Sequence, residues 1–220
     1  MTGMILRILL AAAAGFGGWK AAEAWIGYLL LRRGKTYALT GKAKLLLGAA
    51  DAAVGGILGW LIPEIPALLC GILLLIVCTV LSVTDWVHRL IPNPAVIAIL
   101  ALTLLFGVPA LLGAPGFPAF RPLQSLIGLA VGLGLFALPG LFGKNVGAGD
   151  IKLAGAMGFF LGIYPMLLGL IVMGLLVIGY GLVQSRVPVL KFFRSYIPMG
   201  PFIAAGMLTA FAAAPYVLLL

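Results

Sequence analysis

The sequence predicts an all-α, polytopic membrane protein with about eight transmembrane helices, and three observations lead there. Of its 220 residues, 64% are hydrophobic and only 9% charged, whereas a soluble domain carries about a quarter charged residues. Apolar runs near the roughly 20 residues needed to cross a bilayer recur along the whole chain. The runs are continuous, without the in-and-out alternation of barrel strands, and lipid accepts only helices or closed barrels. The lipid bilayer is therefore the first partner. A single membrane-embedded domain over 1–220 is expected, with no soluble domain, long linker or repeat.

The elements follow from walking between basic loops. A first span of about 4–31 ends at "LRRGK". Its start, "MILRILLAAAAGFGGWKAAEA", also has the Arg7, apolar stretch and small residues of a signal peptide. Cleavage would leave only a stub before the basic cluster, so one long tilted span is expected. Within it, Lys20 and Glu23 stand three residues apart and can pair on one helix face. The second span, about 45–62, ends at the break "IPEIP", and the third covers about 66–86. The fourth, about 94–112, begins after "RLIPNP" and runs into the loop "GAPGFPAFRP". A fifth at about 123–142 precedes a short sixth at about 150–162, which starts at Asp150. "YP" separates it from the seventh, about 165–184, and the eighth fills about 199–219 after "SYIPMGP". Prolines fall mostly at span ends, where they stop helices.

The net charge of +9 is explained by where the charges fall. With this span order, the loops after spans 1, 3, 5 and 7 share one face. They carry Arg32, Arg33, Lys35, Lys42 and Lys44, then Arg89, then Lys144 and Lys152, then Arg186, Lys191 and Arg194. The opposite loops carry mainly Glu64 and Arg121. Basic residues collect in cytoplasmic loops, so that face is expected in the cytoplasm and both termini outside it. Nucleic-acid binding has neither a motif nor aromatic support. Cys70 and Cys78 lie within one apolar run at a spacing that suits neither a zinc knuckle nor a disulfide framework. They are expected to be packing residues.

The five acids are the candidates for chemistry, because a charge at bilayer mid-depth costs about 2.5–3.5 kcal/mol on insertion scales. Glu64 is in a loop and Glu23 has a partner. Asp51 lies about two turns inside its span with no local partner; it either meets Lys20 or lines a polar interior. Asp85 ends span 3 and Asp150 begins span 6, at similar depth on the basic face. Two such carboxylates can share a proton and activate water, the arrangement of an aspartyl protease. One acts as base on the water while the other protonates or polarises the scissile carbonyl. The competing reading of Asp150 is an ordinary helix cap. His88, the single histidine, has no companion for metal and reads as a loop or headgroup residue. Helix dipoles suggest an assignment: Asp150 at a helix N-terminus is the ionised base, and Asp85 near a C-terminus is the proton donor.

Three stretches sharpen this. "GAGDIKLAGAMGFFLG" contains G-x-G-D followed by K-L, small residues and a closing L-G; "TDWVHRLIPN" places I-P-N six residues after an aspartate; "IPMGPFIAAG" contains I-P-x-G-P before a final small-residue span. Together and in this order, over about residues 66–210, they resemble the type IV prepilin leader peptidases, bacterial membrane aspartyl proteases of the G-x-G-D group. The resemblance implies an endopeptidase of the bacterial cytoplasmic membrane. It would cleave the short basic leader from a type IV prepilin, or a secretion pseudopilin, at the cytoplasmic face. By resemblance Asp85 and Asp150 are the catalytic pair. Gly147 and Gly149 would let a substrate strand approach, and Lys152 would orient the site or meet headgroups. Pro92 and Asn93 would set the turn after Asp85, and Pro198, Gly200 and Pro201 the entrance to the last span.

Many members also carry an N-terminal cytoplasmic loop with paired C-x-x-C motifs that bind zinc, and methylate the new N-terminus. The loop here, "RRGKTYALTGKAK", has no cysteine. The chain resembles a short, peptidase-only form, for which no metal, no cofactor and no methyl transfer is expected. Residues 1–65 add two spans without a matching motif. The other readings are a preflagellin or presenilin-like protease, and a small proton- or ion-coupled transporter using Asp51, Asp85 and Asp150. The transporter would bring those acids face to face near the midplane.

Overall fold

In the computed structural model, residues 2–36, 39–141, 147–184 and 197–217 are described, and they are all-helical. Eight helices follow in order: α1 Thr2–Leu31, α2 Gly41–Leu61, α3 Ile65–His88, α4 Asn93–Leu111, α5 Pro122–Leu141, α6 Ala148–Leu161, α7 Ile163–Gln184 and α8 Gly200–Val217. Six of them, α1 to α5 and α7, are long and apolar enough to cross a membrane. Each predicted span corresponds to one helix. Lys144, Arg186, Lys191 and Arg194, which the charge argument used, lie outside the described residues.

Helix α3 is the centre of the bundle. Fourteen of its residues are buried, from Leu68 to Asp85, and it packs against α1, α2, α4 and α8. Its mean hydropathy over a spanning window, 2.7, is the highest among the six, which suits a helix surrounded by others. Leucines and isoleucines on the outer helices, such as Leu45, Leu46, Leu105 and Leu175, are exposed and form an apolar outer surface.

Close contacts are made through small residues, because lipid offers no hydrophobic drive for helices to associate and backbone proximity must supply the packing. In α5 and α6, Gly128 and Gly158 meet so closely that a Cβ on either would overlap the other's carbonyl. Gly132 meets Ala154 one turn away in the same antiparallel seam. Gly15 of α1 lies against the Asp51 carbonyl of α2, Gly55 against that of Ala11, and Gly169 of α7 against Gly206 of α8.

The first helix is packed into this bundle from Arg7 to Leu30. Arg7, the signal-peptide-like arginine, donates from Nε to the Gly59 carbonyl at 2.7 Å and from a guanidinium nitrogen to the Pro63 carbonyl at 3.3 Å. A cation at the C-terminal end of α2 satisfies carbonyls that the helix leaves unpaired. Lys20 pairs with Glu23 at 3.7 Å, and Lys44 of α2 completes the cluster at 2.6 Å. Thr40 caps α2 by accepting the Ala43 N–H at 3.3 Å, which starts that helix a turn before its apolar run.

Pairwise contacts set the helix directions. Asp51 faces Thr79 and Leu58 faces Gly71, so α2 and α3 are antiparallel; Asp85 meets Gly200 while Gly71 meets Phe211, so α3 and α8 are too. The same end of the bundle therefore collects the last turns of α1, α3, α5 and α7 and the first turns of α2, α4, α6 and α8. Arg32, Arg33, Lys35, Lys42, Lys44, Arg89 and Lys152 belong to that end by position. Arg7, Glu64 and Arg121 belong to the other.

Candidate active site

Asp85 sits in the last turn of α3, buried to 5% relative exposure. The helix closes one residue past His88, where Arg89 takes a left-handed conformation, φ 51°, and returns its N–H to the Asp85 carbonyl at 2.8 Å. This turn is costly for a residue with a Cβ, and it directs the chain into Leu90, Ile91 and Pro92. Pro92 is buried and N-caps α4, with Asn93 exposed behind it. Arg89 is near enough to act on the Asp85 carboxylate electrostatically.

Asp150 lies in the first turn of α6, half-buried, and the Asp85 charge reaches it. The structure thus places the two carboxylates that the sequence paired within electrostatic reach of each other. The cap position belongs to Gly147 rather than to Asp150: α6 starts at Ala148, and the Asp150 N–H bonds to the Gly147 carbonyl at 3.0 Å. The capping reading and the expected helix start at Asp150 are both corrected by this, since a residue inside the first turn is not the residue that opens it. Gly147 is tight against the aspartate, and a Cβ there would stand 2.8 Å from Asp150 Oδ2. Gly149 is tight against Ile91, with a Cβ reaching 3.0 Å from the Ile91 Cβ. Packing within the chain therefore accounts for both glycines of G-x-G-D, and it joins that motif to I-P-N.

The third motif arrives from α8. Gly200, the first residue of that helix, donates its N–H to Asp85 Oδ2 at 2.7 Å. Sequence reasoning placed Gly200 at the entrance to the last span but missed this bond, since 115 residues separate the partners. The dipole argument that made Asp85 the proton donor loses its basis here. Both carboxylates now stand at a helix N-terminus, Asp150 at its own and Asp85 at that of α8.

Around the pair, Trp86 packs edge-on against Tyr180 with centroids 6.1 Å apart, and Tyr180 against Phe202 at 5.6 Å. These rings tie the ends of α3, α7 and α8 together beside the carboxylates. Pro198 and Pro201 are half-buried on either side of Gly200, and Lys152 is exposed. The His88 ring is partly buried, and its Nε2 has no hydrogen-bond partner among the described residues.

Asp51 takes no part in this cluster. It is buried to 7% exposure and accepts the Thr79 hydroxyl at 2.9 and 3.0 Å on its two oxygens. Lys20, the partner considered from sequence, is engaged with Glu23 instead. The three acids do not face one another near the midplane, which is what the transporter reading requires. Cys70 and Cys78 are buried and free. A cavity of about 320 Å³, lined by Cys70, Thr103, Phe106, Phe117, Phe120 and Phe211 among others, lies at the far end. Measured along α3, Cys70 is about 22 Å from Asp85 at 1.5 Å per residue.

A bundle of membrane-length apolar helices with two carboxylates at one end, within electrostatic reach of each other, defines a multi-pass membrane protein with a polar site at its helix termini. The sequence model of the type IV leader peptidase family matches residues 72–182, half of the chain, from the middle of α3 to the end of α7. The chain belongs to that family; it is a peptidase, and its substrate is a protein. No curated protein and no solved structure matches it.

Proposed function

We propose that the chain is an aspartic endopeptidase that removes the N-terminal leader of type IV prepilins or related pseudopilins. In this reading it works at the cytoplasmic face of a bacterial inner membrane, and Asp85 and Asp150 are the catalytic pair. The observation that carries the proposal is that carboxylates from α3 and α6, 65 positions apart in sequence, lie at one end of the bundle within electrostatic reach of each other, in a chain of the leader peptidase family.

Two carboxylates within electrostatic reach of each other can share one proton and titrate as a unit. The ionised member takes a proton from water as the water oxygen adds to the scissile carbonyl carbon. The protonated member gives its proton to the carbonyl oxygen. Collapse of the tetrahedral adduct breaks the C–N bond: the amine leaves with the proton taken from water, and an adduct hydroxyl returns its proton to the other carboxylate as the new carboxyl group forms. The pair returns to its starting state without metal or cofactor.

The basic end of the bundle supports the cytoplasmic orientation through the positive-inside tendency. It also places the pair where a leader can enter from water. Gly147 and Gly149 let the start of α6 close tightly on Asp150 and Ile91, Pro92 and Asn93 hold the turn beside Asp85, and Pro198, Gly200 and Pro201 shape the mouth. Lys152, exposed, meets headgroups or the incoming leader. The whole chain acts as one membrane-embedded unit, with α1 and α2 buttressing the motif-bearing core.

Co-expression with candidate prepilins tests the reading, scored by mobility shift and by the new N-terminus. Wild type cleaves, and Asp85→Asn and Asp150→Asn at matched protein levels do not. Cleavage surviving either substitution would return both aspartates to structural roles.

A further inference from the structure

We propose that the backbone N–H of Gly200 is a positioning group for the reaction, holding the Asp85 carboxylate in the orientation that meets Asp150. This rests on the reading of Asp85 and Asp150 as the catalytic pair, and it adds a third participant from outside the stretch matched by the family, which ends at residue 182.

Four observations converge on it. The bond is short, 2.7 Å to Oδ2, within the range of charge-assisted hydrogen bonds. Asp85 is 95% buried, with 5% of its surface exposed, so water cannot readily replace the donor. Gly200 opens α8, so its N–H is one of the donors that a helix start leaves without an internal partner. It points out of the helix with the positive end of the dipole behind it. Finally, the position admits no side chain. A Cβ there would stand 2.7 Å from the Asp85 Cβ and 3.1 Å from its carboxyl carbon, and either the helix or the carboxylate would have to move.

The location of this N–H is decided by helix packing. Six residues into α8, the Gly206 backbone rests on that of Gly169 in α7. Farther along, the Phe211 ring covers Gly71 of α3 at 3.0 Å from a notional Cβ. Those two contacts set the height and tilt of α8 against α3, the helix that carries Asp85. Among the described residues no other hydrogen bond reaches the Asp85 carboxylate, so its rotamer depends on α8 being in place.

A purely structural account would make Asp85 a cap for α8 and nothing more. The two differ in kinetics. Cell-free synthesis with nonsense suppression by glycolic acid at position 200 replaces the N–H with an ester oxygen and adds no other atom. Purified enzyme is assayed on a prepilin leader peptide in lipid nanodiscs, with thermal unfolding measured alongside. The expected result is a fall in kcat of about 30-fold or more with KM within about threefold, since small misplacement of a reacting group is that costly. The corresponding backbone ester at Met207, inside α8, removes a helical N–H away from Asp85 and should leave kcat within about twofold.

A position-200 ester with kcat within twofold, in an assay where Asp85→Asn abolishes cleavage, overturns the positioning role and leaves the catalytic pair standing. An equal loss of kcat from the Met207 ester also overturns it, by showing that helix stability is what the assay reads. If Asp85→Asn still cleaves, the catalytic reading itself fails and takes this inference with it. Should the position-200 ester fail to accumulate, Gly200→Ala is read in its place: it keeps the N–H but displaces Asp85. The same loss of kcat at steady KM is expected, and a kcat within twofold would overturn the proposal.

Discussion

Asp51 and Asp85 are two buried aspartates with nearly equal exposure, 7% and 5%, yet they occupy different kinds of place. Asp51 lies midway along α2, and its donor among the described residues is a side chain, the Thr79 hydroxyl of the neighbouring helix. Asp85 lies at a helix end, and its donor is the backbone N–H that opens another helix. The first arrangement closes on itself: both oxygens face one hydroxyl and the surroundings are apolar. The second stands at a junction, because helix ends bring unpaired backbone groups and a second carboxylate within electrostatic reach. Burial alone therefore does not mark an aspartate for chemistry. What its donor belongs to, and what else meets there, is more informative.

This contrast can be broken by experiment. The largest effect is expected at the helix ends: Asp85→Asn or Asp150→Asn should lower prepilin cleavage by about a thousandfold or more, as loss of a general acid or base does. Asp51→Asn should leave cleavage within about threefold at matched protein levels. Equal loss from all three would erase the distinction between the sites.

Next comes the seam that carries Asp150 into place. Gly128→Leu forces a side chain into the Gly158 backbone, and overpacking of this kind costs about 3 kcal/mol or more. A large drop in unfolding temperature in detergent is expected, with activity lost because α6 can no longer sit against α5. An unchanged unfolding temperature would show that the seam yields easily.

A smaller effect belongs to the mid-membrane clasp. Thr79→Val removes the only hydroxyl on Asp51 among the described residues and should cost about 1 kcal/mol, near the upper range for hydrogen bonds between membrane helices. Cleavage by the folded fraction should not change. A loss of kcat in that fraction would connect the clasp to the site. The smallest effect is expected from Arg7→Ala, at or below about 1 kcal/mol for a cation at a helix C-terminus, read as a slight fall in unfolding temperature with normal activity.

The spans were legible because the bilayer imposes a length on them, and continuous apolar runs between prolines and basic loops have few other uses. Boundaries shifted where a local polar group extended a helix: Thr40 carries α2 back to Gly41, and the left-handed Arg89 lets α3 run on to His88. That Asp85 and Asp150 lie within electrostatic reach of each other was legible because each sits beside a recognisable motif at the same end of its span. The role of Gly147 as cap was hidden, because glycine and aspartate are both favoured at helix starts and composition does not rank adjacent candidates. The partners of the glycines were hidden as well. Their number permitted close packing, but nothing in the chain says that Gly128 meets Gly158 while Gly169 meets Gly206.

What the sequence by itself determined is what depends on local chemistry. Apolar length makes a membrane helix, prolines and glycines end it, and charge in the loops biases its orientation. Motifs in order identify a peptidase family. What only the tertiary structure decided is which distant groups share an environment: Thr79 with Asp51, Arg7 with the end of α2, and above all the Gly200 N–H with Asp85. Such pairs are chosen by how whole helices cross, a property of their surfaces taken together. No window of neighbouring residues contains it.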